Sequence, residues 1–527
     1  MGSATCTSCR LLVFLLARLL LVAPWHPKAT AAPALNFTRQ DFPRDFVFGA
    51  STSAYQYEGA TDVDGRGPSI WDAFSHAGRI PDKSTGDLGA GGYYKYKEDA
   101  KLMGDTGLEA YRFSISWSRL IPSGRGLVNP KGLAYYNNLI DELIKQGIQL
   151  HVTLYHLDLP QILEDEYHGW LSPRIVEDFT AYADVCFREF GDRVKHWTTV
   201  NEPNAASYAG YDSGRFAPGR CSPPFGGLQD CAAGNSTVEP YVAAHNFILA
   251  HASAMKLYKD KYQAKQKGFV GINVYTFWSY PFSSSPADIA AAQRARDFLI
   301  GWIVNPLVYG DYPEIMKKNV GSVLPSFTEE QSEMVLGSAD FLGINHYTST
   351  YVSDRSKNAE MGPRDFFDNM FAAFRSSRND PPADRFTTYN GMPSHPQGLQ
   401  CLLEYLRDTY KNIPVYVHEN GYEQLSNEST YDAKRVEYLS GYIGSTLTAL
   451  RNGANVKGYF IWSFLDLFEL LAGYSSRYGL HHVDFQDPEL PRKPKLSAQW
   501  YTKFLKNKIE INIKNMISPD ANPHAEQ

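Results

Sequence analysis

The sequence predicts a single α/β domain folded as a (β/α)8 TIM barrel with elaborated βα loops. From residue 45 onward, eight short apolar runs rich in β-branched and aromatic residues alternate with longer stretches of helical period. That alternation is typical of a parallel sheet, and eight strands close a barrel. An open doubly wound sheet is the competing architecture. It is disfavoured because no glycine-rich dinucleotide-binding loop follows the first run.

The predicted strands and helices can be placed by residue number. Helices between the strands are long enough to make right-handed crossovers to the next parallel strand. The insert at 353–397 lacks strong periodicity, and such inserts typically form lids or specificity loops. We expect strands at 46–51, 110–116, 148–156, 196–202, 268–276, 339–347, 414–420 and 456–463, and helices at 130–146, 173–190, 239–262, 398–411 and 431–451.

The two ends of the chain differ from the predicted barrel, which we place at 32–508. Residues 1–31 contain no acidic residue and have Arg10 ahead of a Leu-rich run, and they end on the small triplet Ala-Thr-Ala. These features predict a signal peptide. A membrane anchor is the alternative, but Arg18 interrupts the apolar run, which falls short of the ~20 residues that span a bilayer. Residues 509–527 form a polar tail.

A signal peptide implies entry into the secretory pathway, with an extracellular or vacuolar destination. An oxidising compartment would let Cys221 and Cys231, which flank a Pro/Gly-rich loop, form a disulfide. Two free thiols are the alternative. Cys186 and Cys401 fall in helical patterns and are expected to be buried thiols. Sequons for N-glycosylation stand at Asn36, Asn235 and Asn427.

Charge and motif content exclude several classes of function. The formal net charge of −6 is spread along the chain, and no basic tract is present that could neutralise a run of phosphates. Nucleic acid is therefore not an expected partner. Neither an HExxH metal motif nor a G-x-S-x-G nucleophile elbow occurs. We expect no metal and no membrane partner, and the oligomeric state stays open.

Polar and aromatic side chains collect where the predicted strands end. Active sites of TIM barrels lie at the C-terminal ends of the strands, so these side chains mark the candidate site. Two of them are carboxylates 217 positions apart, and a facing carboxylate pair is what glycoside hydrolysis uses. A lone glutamate at a strand end is usually just solvated, so the pair matters more than either member. The strand-end residues are Arg112, His156, Asn201, Glu202, Asn345, Tyr347, Glu419 and Trp462.

Two segments resemble the signature segments of family 1 glycoside hydrolases, namely TTVNEP at 198–203 and VHENG at 417–421. The likeness extends over roughly residues 40 to 505, and plant members are similar in their leader and cysteine-bracketed loop. The resemblance implies a retaining β-glycosidase, in particular a β-glucosidase, with no metal or organic cofactor. Further matching segments are FVFGASTSAYQYEGA at 46–60, YRFSISWSR at 111–119, YHLDLPQ at 155–161, DFLGINHYTS at 340–349 and WSFLDLFEL at 462–470.

By the same resemblance, Glu202 is the acid/base and Glu419 the nucleophile, with Asn201 and Tyr347 on the nucleophile side. Physical chemistry supports these roles. A general acid needs a raised pKa, whereas a nucleophile must stay ionised, which Arg112 and the Tyr347 hydroxyl would favour. Glu202 could then act as a base once the glycosyl-enzyme removes the charge of Glu419.

The resemblance also implies the sugar contacts: Gln56, His156, Asn201 and Glu469, with Trp462 as a platform under the ring. A carboxylate at 469 would repel a 6-phosphate, so the expected substrate is a neutral small-molecule glycoside. The structural alternatives remain open. Gln56 could be a turn residue, His156 a core imidazole and Trp462 barrel packing.

Several positions depart from the family pattern. His418 stands in place of a common Thr, Leu157 and Leu470 stand where aromatic residues are common, and Gln397 replaces a Trp of the aglycone cleft.

Two alternative functions remain open for this sequence. The first is a transglycosidase that passes the same glycosyl-enzyme to an alcohol or acid acceptor. The second is a barrel that has lost catalysis and only binds, which the retained glutamate pair argues against.

Overall fold

The computed structural model describes residues 36–226, 231–356, 362–381 and 393–507. The predicted signal peptide at 1–31 and the polar tail at 509–527 lie outside these described residues. The barrel therefore accounts for nearly all of the chain that the structure describes.

Eight parallel strands form a closed barrel, which confirms the predicted fold class. The strands follow one another around the barrel in the order β5-β4-β3-β2-β1-β8-β7-β6, and pairing of β5 with β6 closes the ring. Every predicted strand is present. The strands are β1 (Val47–Ser51), β2 (Ala110–Ser114), β3 (Gln149–Tyr155), β4 (His196–Asn201), β5 (Phe269–Pro281), β6 (Phe341–Asp354), β7 (Val415–Asn420) and β8 (Val456–Trp462).

A principal helix follows each strand and returns the chain to the next one. These helices are α1 (Gly92–Thr106), α2 (Pro130–Lys145), α3 (Arg174–Phe190), α4 (Glu239–Leu257), α5 (Pro286–Arg296), α6 (Pro396–Thr409), α7 (Ala433–Arg451) and α8 (Leu496–Leu505). Shorter helices occupy the loops at Ala54–Tyr57, Ile70–His76, Trp117–Leu120, Gln161–Tyr167, Pro203–Tyr211, Gln263–Gln266, Trp302–Tyr309, Glu314–Val320 and Glu329–Val335.

Strands β5 and β6 run past the barrel rim, farther than the sequence predicted. They stay paired beyond a register shift, with Trp278 opposite Ser349 and Pro281 opposite Val352. The insert after β6 contributes a short strand, Ala372–Arg375, that pairs antiparallel with the end of β6. Part of the predicted loop at 353–397 is therefore regular structure attached to the barrel.

Two strands carry an extra residue near the C-terminal mouth. In β7, Val417 is opposite Ile344 and Glu419 is opposite the next residue of β6, Asn345, so His418 is the added residue. Between Thr198 and Asn201, β4 likewise gains a residue relative to β5. Bulges of this kind redirect side chains and are common beside active sites. Here they precede both glutamates of the candidate pair.

Imidazole and aromatic rings fill the lumen below the mouth. The ring of His151 in β3 lies 4.3 Å from that of His196, 4.7 Å from Phe460, 4.9 Å from Tyr416 and 5.6 Å from His418. These partners come from β4, β7 and β8, so the rings meet inside the barrel. The lumen is a packed core, and a ligand can enter only from above it.

The loop between β4 and α4 contains the predicted disulfide, which joins Cys221 to Cys231. Cys186 and Cys401 are buried free thiols in α3 and α6. No helix within the described ranges is both long enough and apolar enough to cross a membrane. The three sequon asparagines, Asn36, Asn235 and Asn427, are exposed.

Candidate active site

A cleft of about 260 Å³ opens at the C-terminal ends of the strands. Seven predicted site residues line it, as do Leu157 and Leu470, whereas Gln397 is not among the described lining residues. The predicted residues are Gln56, His156, Glu202, Tyr347, Glu419, Trp462 and Glu469. The sequence did not single out Phe216, Tyr275, Glu423, Leu471, Ala472, Ser476 or Tyr478, which also line the cleft.

Glu419, at the end of β7, forms an ion pair with Arg112 of β2. The guanidinium Nη1 lies 2.6 Å from Glu419 Oε1, and the Tyr347 hydroxyl donates to Oε2 at 2.7 Å. Burial raises the pKa of Glu419 above its usual value, and the positive charge of Arg112 and hydrogen bonds from Arg112, Tyr347 and Asn345 limit that rise. Each of these contacts stabilises the ionised carboxylate.

Glu202 follows β4 and immediately precedes the helix that begins at Pro203. Its backbone N–H donates to the Asn273 carbonyl at 2.8 Å, and the Asn345 amide donates to its Oε1 at 2.6 Å. Burial, reinforced by the negative charge of Glu419, raises the pKa of Glu202 to about 8. The carboxyl therefore holds a proton at neutral pH, unlike a solvated glutamate.

Asn201, Asn345 and Arg112 are fully buried behind the cleft wall rather than part of its surface. Asn201 Oδ1 accepts from Arg112 Nη2 at 2.7 Å, from Asn273 at 2.6 Å and from Asn345 at 3.2 Å. Asn273 was missed by the sequence analysis. A signal was available, because it is an amide within the apolar run of the fifth strand, and it lies opposite Asn201.

The far end of the cleft holds an amide and a second acidic side chain. Gln56 Oε1 accepts from the Ser53 hydroxyl at 2.7 Å, and Gln56 Nε2 donates to the Phe468 carbonyl at 2.8 Å. Nε2 also lies 3.4 Å from Glu469 Oε2. Burial and the charge of Glu423 raise the pKa of Glu469 well above its usual range. Its Oε1 has no partner among the described residues and can accept a ligand hydroxyl.

His156 and Trp462 form a side wall. The two rings stack with centroids 5.8 Å apart and planes inclined by 16°. Asn201 Nδ2 lies 3.2 Å from His156 Nε2, an arrangement in which the amide donates to an unprotonated nitrogen. Burial, followed by the charge of Arg112, lowers the pKa of His156 well below its usual range. The imidazole is therefore neutral.

The arrangement brings a carboxyl whose pKa is raised and a carboxylate that is paired with Arg112 to one small cleft with polar and aromatic walls. A (β/α)8 barrel with such a pair at its C-terminal mouth belongs to the class of glycoside-cleaving enzymes. The acid can protonate a departing oxygen while the carboxylate attacks carbon.

Comparison with protein families points to the same class of enzyme. Residues 38–510 match the model of glycosyl hydrolase family 1, and the chain belongs to this family. It is 72% identical over 498 residues to beta-glucosidase 22 of Oryza sativa subsp. japonica, with 94% of this chain and 93% of the relative covered. A Delphinium grandiflorum cyanidin 3-O-glucoside 7-O-glucosyltransferase (acyl-glucose) is 57% identical over 91% of this chain and 93% of its own.

Solved structures agree with the sequence relatives. A rice beta-glucosidase superposes with a TM-score of 0.85 at 46% identity, covering 89% of this chain and 99% of its own. A mutant of a rice beta-glucosidase in a covalent complex with Glc superposes with a TM-score of 0.84 at 45% identity, with the same coverage. The chain is therefore a retaining β-glucosidase, which hydrolyses β-D-glucosides by double displacement through a covalent glycosyl-enzyme.

Gly343 of β6 offers a test of how tightly the residues behind the cleft are packed. A Cβ at this position would lie 2.4 Å from Asn273 Oδ1 and 2.4 Å from His418 Nδ1. We expect Gly343→Ala to lower the free energy of unfolding by about 1–3 kcal/mol, because both buried groups must move. Gly362→Ala is the matched control, since nothing lies within 4 Å of its Cβ. Equal urea midpoints for the two variants would contradict the packing described here.

Proposed function

We propose that Glu202 is the acid/base and Glu419 the nucleophile of this β-glucosidase. The assignment rests on one asymmetry. Glu419 has a guanidinium 2.6 Å away, whereas Glu202 receives a hydrogen bond from the neutral amide of Asn345. An ion pair favours the charged form that a nucleophile needs. A buried carboxyl without its own cation favours the protonated form that a general acid needs.

In the first step, Glu419 attacks the anomeric carbon while Glu202 gives its proton to the departing glycosidic oxygen. The C–O bond to the aglycone breaks as the ester bond to Glu419 forms. The ester carries no charge, so Glu419 no longer adds to the effect of burial on the pKa of Glu202. That pKa falls, and the carboxyl loses its proton and can act as a base. It then takes a proton from water, which attacks the anomeric carbon and releases Glu419 as a carboxylate.

For the glucosyl unit we propose contacts with Gln56 and Glu469 at the far end of the cleft. The fixed amide of Gln56 and the partnerless Glu469 Oε1 suit neighbouring hydroxyls, and the Trp462 face suits the C–H side of a pyranose. His156 and Asn201 complete the proposed sugar contacts. His156 is a neutral imidazole, and the Asn201 amide donates to it. No lysine or arginine is among the described residues that line the cleft, so a phosphorylated sugar would have no cation to pair with, which favours a neutral glucoside.

Leaving-group dependence tests the two roles. Acid assistance typically contributes about 10²–10⁴-fold, and a dinitrophenolate leaves without it. Glu202→Gln should therefore spare kcat/KM for dinitrophenyl glucoside and reduce it by that factor for an alkyl glucoside. Glu419→Gly should abolish both activities.

The matched control is Glu164→Gln, which alters a buried carboxyl outside the cleft whose pKa burial raises to about 7. Because Glu164 does not line the cleft, the change should leave both substrates unaffected. Equal losses on the two substrates for Glu202→Gln would mean that Glu202 does not protonate the leaving group. Adding an alcohol to the same assay measures transfer to acceptors other than water, the activity named for the Delphinium relative.

We further propose that residues 1–31 are a signal peptide, and that the mature enzyme works in the apoplast, cell wall or vacuole. The Cys221–Cys231 disulfide and the exposed sequon asparagines support an oxidising, glycosylating route. Mass spectrometry of enzyme produced in a secretory host should find a new N-terminus at residue 32 and a disulfide-linked Cys221–Cys231 peptide. Enzymatic removal of N-glycans should lower the mass of the protein. A retained leader with both thiols free would refute this route.

A further inference from the structure

Asn273 of β5 lies at the centre of the polar network beneath the two glutamates and is fully buried. Its side-chain amide Nδ2 donates to Asn201 Oδ1 at 2.6 Å and to Asn345 Oδ1 at 2.7 Å. Its backbone carbonyl accepts the Glu202 N–H at 2.8 Å. One residue thus contacts both buried amides and the backbone of Glu202.

The orientation of the Asn345 amide is set by two contacts, of which the hydrogen bond from Asn273 is the shorter. An asparagine has one acceptor atom and one donor atom that can exchange by a half-turn of the side-chain amide. Because Asn345 Oδ1 accepts from Asn273, Asn345 Nδ2 must point the other way, and there it donates to Glu202 Oε1 at 2.6 Å. Without the Asn273 donor, only the 3.2 Å contact of Asn345 Nδ2 with Asn201 Oδ1 would hold this orientation, and Asn345 could turn its carbonyl toward Glu202.

The two hydrogen bonds donated by Nδ2 orient the Asn273 amide, and its oxygen lies on the opposite side. Asn273 Oδ1 has no hydrogen-bond partner among the described residues and lies beside Gly343 and His418 Nδ1. Each of the two atoms is 2.4 Å from the point where a Cβ of Gly343 would stand. The carbonyl thus faces the imidazole that forms the bulge of β7, and the NH₂ group faces the candidate site.

We propose that Asn273 is a positioning residue of the β-glucosidase reaction, which holds the Asn345 N–H toward Glu202 and so stabilises the ionised acid/base. This inference rests on the proposed role of Glu202. The first step needs Glu202 protonated, but the second needs it ionised, when a donated hydrogen bond favours the charged form. Asn273 would therefore matter most for hydrolysis of the glycosyl-enzyme.

Several other groups face Glu202 and act on its ionisation. The charge of Glu419 opposes ionisation, and that of Arg112 favours it. The phenols of Tyr208, Tyr275 and Tyr347 lie close enough to interact with the Glu202 charge, and burial raises the pKa of each. They remain neutral throughout the working pH range and add no limb of their own. Glu469, whose pKa is also raised, lies in the same cleft, so the limb is assigned to Glu202 by its absence in Glu202→Gln.

The test is the pH profile of Asn273→Leu, which keeps the branched shape and removes the donor. The basic limb of kcat/KM should move upward by about one pH unit, because one hydrogen bond to the charged form is lost. Dinitrophenyl glucoside needs no acid assistance, so kcat/KM for this substrate should change little. Where hydrolysis of the intermediate limits its kcat, the acidic limb of kcat should move upward by about one pH unit, because that step needs Glu202 ionised.

Asn273→Asp and Asn246→Leu complete the design. Asn273→Asp keeps the volume but has no N–H, and its added negative charge should move the limb at least as far upward. Asn246→Leu removes a buried amide that donates to the Trp170 carbonyl away from the cleft. It should lower stability without moving the limb. If the basic limb of kcat/KM does not move in a folded Asn273 variant, the proposal is overturned. Loss of folding in both Asn273 variants also overturns it, because the residue would then be structural.

Failure of the inference can be separated from failure of the proposed function. In Glu202→Gln, the basic limb seen with an alkyl glucoside should be absent from any residual activity. If the limb persists there, Glu202 is not the titrating acid and the proposed function fails. If the limb is absent there but unmoved in both Asn273 variants, the proposal for Asn273 alone fails.

Discussion

The buried ion pair between Arg112 and Glu419 is the interaction on which the rest of the site depends. Arg112 is completely buried, and its guanidinium also donates to Asn201. Removing two charges from water is costly, and breaking such a pair by deleting one partner typically costs about 3–5 kcal/mol. The barrel supplies this pair from β2 and β7, on different sides of the lumen. The floor of packed rings keeps bulk water from reaching it from below.

The ion pair also makes the two glutamates chemically unequal. Glu419 accepts hydrogen bonds from a guanidinium and a phenol hydroxyl, whereas Glu202 accepts one from an amide. Burial and the charge of Glu419 together favour the protonated form of Glu202, since like charges in a low-dielectric cleft disfavour a second ionisation. Esterification of Glu419 would remove the contribution of its charge. The same pair can thus supply an acid in one step and a base in the next.

Sequence patterns predicted the barrel and most of the cleft wall because both depend on local signals. Strand runs ended on Glu202 and Glu419, and parallel strands bring such ends together. The extra residues in β4 and β7 have no such signal, since a bulge arises from how strands pair. Asn273 was missed because its importance lies in contacts with two other strands. The continued pairing of β5 and β6 beyond the rim is likewise a tertiary effect.

The central claim is that a carboxylate held by Arg112 forms a covalent intermediate that a second carboxyl then helps to hydrolyse. Proton NMR of the sugar first released from a β-glucoside tests it most directly, because two displacements at the anomeric carbon restore its configuration. The account predicts that the β-anomer appears first and only later equilibrates with the α-anomer. Initial accumulation of the α-anomer would contradict it, since a single displacement by water would then have occurred and Glu419 could not be the nucleophile.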